Sequence, residues 1–207
     1  MSGLAISISR EFGSGGRAVG EKLAKALEIA FFDKSLIHLA VRKSGLDPMT
    51  IEKAEEEAAN KFLFNLAIGG YVSTGVFSQM SVPLSDQVFF AQSRVIEEIA
   101  AQDDCVILGR CANYVLRNHP GCIRVFIYGE AKDKLRRIVQ EYGVSEEEAE
   151  AKMIRTDKGR ANYHEHYTEQ IWGSVKIYDI AINTSFTGID GAVEVIRTLV
   201  TRRGLRQ

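Results

Sequence analysis

Between Leu4 and Leu27 the chain passes from a strand-like run through a glycine-rich turn into a helix-like run with nothing between them, and this succession constrains the fold more than any other feature. Leu4-Ala5-Ile6-Ser7-Ile8-Ser9 alternates larger apolar with small residues, the pattern of a strand packed beneath helices. Gly13-Ser14-Gly15-Gly16-Arg17 follows. Val19, Leu23, Ala26 and Leu27 then recur at helical spacing, and the helix must end before the strand-like Ile29-Ala30-Phe31-Phe32. A strand, turn, helix and second strand within about 30 residues make one parallel crossover.

Further strand candidates are Cys105-Val106-Ile107-Leu108, Ile123-Arg124-Val125-Phe126-Ile127 and the short Ile180-Ala181-Ile182, each succeeded by a helix-like stretch. Strands alternating with helices imply a parallel sheet covered on both faces, with ligands beyond the carboxyl ends of the strands. The run from Ser44 to Asp104 is too long for an ordinary crossover and reads as a helical insertion. Asp47-Pro48 opens a helix with Ile51, Ala54, Ala58 and Phe62 on one stripe, and Gly69-Gly70 breaks it. A second helix is expected over Asp86 to Ala101, with Val88, Gln92, Val95 and Ile99 on one face; the Ser/Thr/Gly-containing stretch from Tyr71 to Ser85 lies between. After Tyr142, Ser145 and Glu148 form a capping-box signature, and Ala149, Met153 and Ile154 continue a helical stripe into a polar, basic segment.

Composition bounds the function. With 207 residues, 45% hydrophobic and 26% charged, the chain suits one globular domain with an elaboration. The 26 basic residues are matched by 27 acidic ones, for a net charge of -1, which argues against a nucleic acid polymer as main partner. No apolar run approaches the roughly 18 residues of a membrane span, and the first residues lack a signal-peptide pattern. A cytoplasmic protein is expected, with Cys105, Cys111 and Cys122 as free thiols. Nothing in the pattern specifies an oligomer.

Three signals carry chemistry. Gly13, Ser14, Gly15, Gly16, Arg17 and Ala18 form a candidate phosphate cradle: glycines let successive N–H groups turn toward one anion, and the helix N-terminus adds its dipole. Arg17 would supply the cation, although a glycine run also suits a flexible turn and Arg17 a surface position. The common phosphate-loop pattern ends in glycine-lysine-serine/threonine. With Gly15 as its last glycine, Arg10 holds the first glycine position, Gly16 the lysine position and Arg17 the hydroxyl position. Gly109-Arg110, after the third strand, can aim a guanidinium into the ligand crevice. Arg155, Asp157, Lys158 and Arg160 offer cations to close over a transferring phosphoryl group, or simply a solvated helix face. Asp33 closes the second strand, either facing an acceptor or capping the next helix. His164 and His166, flanked by Tyr163 and Tyr167, read as part of a polar lid, and no metal-ligand pattern is present.

In this order the motifs resemble the cytidylate kinases, and more closely the cytidylate-kinase-like proteins that carry Ser-Arg-Glu-Phe-Gly-Ser-Gly-Gly-Arg at the nucleotide loop. The likeness covers about Leu4 to Leu199. Phe31-Phe32-Asp33-Lys34-Ser35 resembles the start of the family's monophosphate-binding region, Gly109-Arg110 its Gly-Arg-Asp motif, and Leu135-Arg136-Arg137 its basic helix. Asp157-Lys158-Gly159-Arg160 resembles its lid Asp-x-x-Arg, and Asp179 to Ser185 its closing strand. The resemblance implies a P-loop three-layer α/β/α domain over residues 1–207, with a helical acceptor-binding insertion at 34–104 and a lid at 143–168. It implies ATP and Mg2+ as cofactors and a nucleotide as substrate. Gly13 to Arg17 would hold the donor, Asp33, Ser35 and Arg110 the acceptor, while Arg17, Arg110, Arg136, Arg137, Asp157 and Arg160 would act on the transferring group. The chain departs from the family at the missing loop lysine, at Leu39 in place of an acceptor-binding arginine, at Cys111 in place of aspartate, and at the absent proline near His164.

Overall fold

The computed structural model describes residues 3–33 and 83–205. Expectations for Ser35, Leu39 and the first helix of the insertion lie outside the described residues, as does the stretch from Tyr71 except for its end, where Leu84 and Ser85 are already helical. In chain order the elements are β1 (Ala5–Arg10), α1 (Gly16–Leu27), β2 (Ala30–Phe32), α2 (Leu84–Gln102), β3 (Cys105–Leu108) and the single turn α3 (Ala112–Val115). Then come β4 (Cys122–Tyr128), α4 (Ala131–Tyr142), α5 (Glu146–Thr168), a 3-10 turn (Val175–Ile177), β5 (Ile180–Asn183) and α6 (Thr184–Arg202).

The strands form one parallel sheet in the order β2-β3-β1-β4-β5. β1 is central, and its alternation now has a reason. Ile6 and Ile8 face α1 and α6, packing with Val19, Leu23, Val193 and Ile196. The small Ala5 lies on the opposite face, against α2 and α3 through Val88, Ile96, Ala100 and Leu116. The three-layer α/β/α architecture is therefore present. On α1 the buried stripe is Val19, Gly20, Leu23 and Ala24, while Ala26 is exposed. Gly20 sets this rotation, because a Cβ there would lie 2.9 Å from the Phe31 ring.

A third cluster joins Phe12, Ile138, Val144, Ala149 and Met153. It fastens the turn after β1 to α4 and α5. Ser145 stands at the N-cap of α5 as expected, but its hydroxyl donates to the Glu148 carboxylate at 3.2 Å and caps no backbone N–H. All three cysteines are free and buried; burial pushes the thiols up, to about 12 for Cys105 and Cys111 and about 11 for Cys122. Among the described residues no helix is long and apolar enough to cross a membrane.

Candidate active site

At the carboxyl end of β1 the chain turns through Glu11 to Gly15 and enters α1. Gly13 (φ 75°) and Gly15 (φ 76°) adopt the left-handed conformation, which glycine tolerates best. The turn is enclosed from behind: a Cβ on Gly13 would lie 2.6 Å from the Lys134 carbonyl oxygen, and one on Gly15 would collide with Ile189. Ser14 is fully buried, its hydroxyl donating to the Glu11 carbonyl at 2.8 Å and its own carbonyl accepting from Thr184 at 2.7 Å. No side chain caps α1, and its first turn carries no acidic residue. The N–H groups that a helix start leaves without intrahelical partners are thus available to an external anion.

The cavity beside this turn has a volume of about 260 Å³ and is lined by Arg10, Glu11, Gly13, Gly15, Gly16, Arg17, Asp33 and Arg160, among others. A larger cleft of about 480 Å³ lies between the end of α1 and α6, and its charged groups, Glu28, Glu194, Arg197 and Arg202, are exposed. The smaller cavity holds the chemistry. Its electrostatics are cationic: burial first, then Arg160, Arg110 and Arg17, press the Arg10 pKa down to about 9, with Tyr142 acting in the opposite sense. Burial also lowers Arg160, with neighbouring Arg110 acting in the same sense and Asp157 and Tyr142 opposing. Positive groups gathered this closely are what an oxyanion would stabilise.

α4 and α5 grip the turn by its backbone. Arg137 donates to the Gly13 carbonyl at 2.6 Å, Arg160 donates to the Arg10 carbonyl at 2.9 Å, and Asp157 accepts from the Phe12 N–H at 2.7 Å. Burial raises the Asp157 pKa, opposed by the Phe12 N–H, Arg160 and Lys134. Lys134 is buried and bridges Glu11 at 2.8 Å and Asp157 at 3.9 Å.

The predicted residues divide accordingly. Gly13 to Ala18, Asp33, Arg137, Asp157 and Arg160 come together around the turn. Arg17 does so sideways, pairing with Glu21 at 2.8 Å and with Asp33 at 3.0 Å. Arg110 follows β3 on an unusual turn in which Gly109, Arg110 and Cys111 all have positive φ (78°, 56° and 54°); its guanidinium lies 5.7 Å from the Tyr163 ring centre. A left-handed non-glycine residue costs roughly 1–2 kcal/mol, so two in succession mark a turn held in place by its surroundings. Arg136 is paired with Asp133 at 2.8 Å and points away, and Arg155 and Lys158 are exposed. Asp179 forms a two-pronged pair with Arg124 at 2.8 and 3.1 Å, tying β5 to β4. His164 is buried against Asn113 of α3 and is no part of an exposed polar surface. Among the described residues no three His, Cys, Asp or Glu side chains gather to hold a metal ion.

Sequence reasoning missed Arg10, Glu11, Lys134 and Thr184. Lys134 did carry a signal, as a lysine one helical turn before buried Ile138 on the apolar stripe of α4.

The model of the cytidylate kinase-like family matches residues 5–186. The chain belongs to this family. A cytidylate kinase from Thermococcus kodakarensis is 28% identical over 104 residues, so that the match spans 50% of this chain and about half, 52%, of that relative. Among solved structures, an uncharacterized protein from Eubacterium ventriosum is similar with a TM-score of 0.70 and 28% identity, covering 96% of this chain and 98% of that one. Shikimate kinase from Acinetobacter baumannii, in complex with shikimate, is similar with a TM-score of 0.52 and 16% identity over 99% of this chain and 97% of its own. That second likeness is one of fold. Family and fold together make this family member kinase-like.

Proposed function

We propose that the chain transfers the terminal phosphoryl group of ATP, with magnesium, to a nucleoside monophosphate of the cytidylate type or another small phosphorylated acceptor. The observation that carries this reading is the uncapped start of α1 opening on a cavity where guanidinium groups from β1, α1 and α5 converge. This reading puts the donor polyphosphate there, since the turn is backed by Lys134, Ile138 and Arg137 and its glycines line the cavity. The hydroxyl position of the loop holds Arg17, so the groups that would hold magnesium are the donor's own phosphate oxygens and the cavity carboxylates Glu11 and Asp33. Magnesium supplies neutralisation of the phosphate charge.

Arg110, at the neighbouring strand end, is proposed to bind the acceptor phosphate, with Asp33 and Ser35 on the acceptor side. Arg137, Asp157 and Arg160 fix the shape of the turn through its backbone, so they act by orientation as well as by charge. Phosphoryl transfer from ATP with magnesium is measured over a panel of nucleoside monophosphates. Turnover of at least one is expected, with kcat/KM falling about 100-fold or more in Arg110→Ala. No transfer to any acceptor, or indifference to the substitution, overturns the reading. A second reading, a nucleotide-binding sensor without chemistry, draws on the bonds of Arg137, Asp157 and Arg160 to the loop itself. Tight binding of ATP without turnover of any acceptor would favour it.

A further inference from the structure

Two departures from the common phosphate-loop pattern, Arg10 for glycine and Gly16 for lysine, occupy the same space. The Arg10 side chain leaves the end of β1 across the face of Gly16, where a Cβ would lie 2.5 Å from Arg10 Cβ and 3.0 Å from its Cγ. It ends at Gly109, beyond the adjacent strand β3, where a Cβ would collide with Arg10 Nη1. A side chain at either glycine would fill the channel through which the arginine passes. The guanidinium so delivered lines the cavity together with Gly13, Gly15 and Gly16. Among the described residues it forms no ion pair: Arg160, Arg110 and Arg17 stand near it, and the cavity carboxylates Glu11 and Asp33 are engaged by Lys134 and Arg17. Arg17, the other candidate, is 56% exposed and engaged by Glu21 and Asp33.

We propose that Arg10 is the phosphate-binding cation of this turn, a lysine's task moved from the first residue of the helix to the last residue of the strand, and that Gly16 and Gly109 are glycine to let it through. The inference rests on the reading of the turn as the donor site and names the group that recognises the polyphosphate there. The ligand is a polyphosphate chain: a planar guanidinium offers paired N–H donors that match two phosphate oxygens. Burial first, and then the nearby Arg160, Arg110 and Arg17, disfavour the charged Arg10 side chain in the folded state until an anion arrives. Such a group exchanges stability for function.

The test measures binding of magnesium-ATP and of inorganic tripolyphosphate by calorimetry, and thermal unfolding with and without tripolyphosphate. The proteins compared are wild type, Arg10→Met, Arg10→Lys, Arg17→Ala, Arg10→Gly, and the exchange of Arg10→Gly with Gly16→Lys. Arg10→Met keeps an unbranched stem between the two glycines and removes the charge. Its affinity for both probes is expected to fall about tenfold or more. Its ligand-free Tm equals or exceeds that of wild type, and tripolyphosphate no longer raises it. Arg10→Lys keeps part of the affinity, and the exchange recovers affinity that Arg10→Gly alone has lost. Undiminished affinity in folded Arg10→Met, or a larger loss in Arg17→Ala, overturns the assignment and leaves the donor site standing. Failure of wild type to bind either probe overturns both. Should Arg10→Met not fold, the exchange decides: no recovery over Arg10→Gly overturns the assignment.

Discussion

Gly13 and Gly159 are the same residue with opposite surroundings. Gly13 has φ 75°, and its Cβ would lie 2.6 Å from a backbone oxygen and 2.8 Å from Ile138 Cγ1. Gly159 lies inside α5 with nothing within 4 Å. Gly13→Ala is therefore expected to cost about 2–4 kcal/mol, from the left-handed penalty together with the overlap. Gly159→Ala is expected to gain roughly 0.5–1 kcal/mol of helix stability. Urea unfolding of both checks this, and a Gly13→Ala protein as stable as wild type would contradict the enclosed turn described above. The sequence announced the turn because glycines after an alternating strand are a local signal. What grips it was not legible, since Arg137, Asp157 and Arg160 act on backbone atoms 124, 145 and 150 residues away, and no spacing encodes such partners. Arg10 was hidden for another reason: aligned to a pattern, it reads as a missing glycine, and only the path of its side chain shows what it replaces.

At the scale of elements, α5 ties together both ends of the site. Asp157 and Arg160 hold the turn, and His164, one turn after Arg160, anchors the helix to α3. The His164 ring is buried, with Nε2 3.1 Å from Asn113 Nδ2 and Nδ1 3.1 Å from the Gln170 carbonyl oxygen. These partners fit a neutral ring in which Nδ1–H donates to Gln170 and Nε2 accepts from Asn113. Burial lowers its pKa below the ordinary 6.5, the Gln170 carbonyl opposing. The unfolded chain then binds the proton more readily. This contribution to stability is whole above pH 6.5 and is lost as pH falls from there toward the folded-state pKa. The Tm of wild type should accordingly drop more between about pH 7.5 and 5.5 than that of His164→Gln; parallel curves would show that the ring is not buried neutral. The helix and its Ser145 start were readable from spacing, and so were Ala149 and Met153 of its stripe, whereas Ile154, expected beside them, is exposed. The direction of His164 was not, because a histidine between tyrosines has the composition of a solvated surface whichever way it points.

For the molecule as a whole, alternating strands and helices fixed a parallel sheet, and the strand order followed from packing that no single segment contains. One consequence of that order concerns time. Ala5 of β1 pairs with Cys105 on one side and Cys122 on the other, at the same level of the sheet. Two strand spacings separate the thiols by about 10 Å, beyond disulfide reach, and both are sealed beneath helices. Under native conditions an alkylating reagent reaches them only when the centre of the sheet opens, so their labelling rate should follow denaturant with the full slope of global unfolding. Cys111 is equally buried but sits on the strained turn after β3. Its rate should be faster and nearly independent of denaturant at low concentration, and a single slope shared by all three would show that turn and sheet open as one. The chain thus carries two clocks, one timing the lifetime of the fold and the other the breathing of the strand end beside its site.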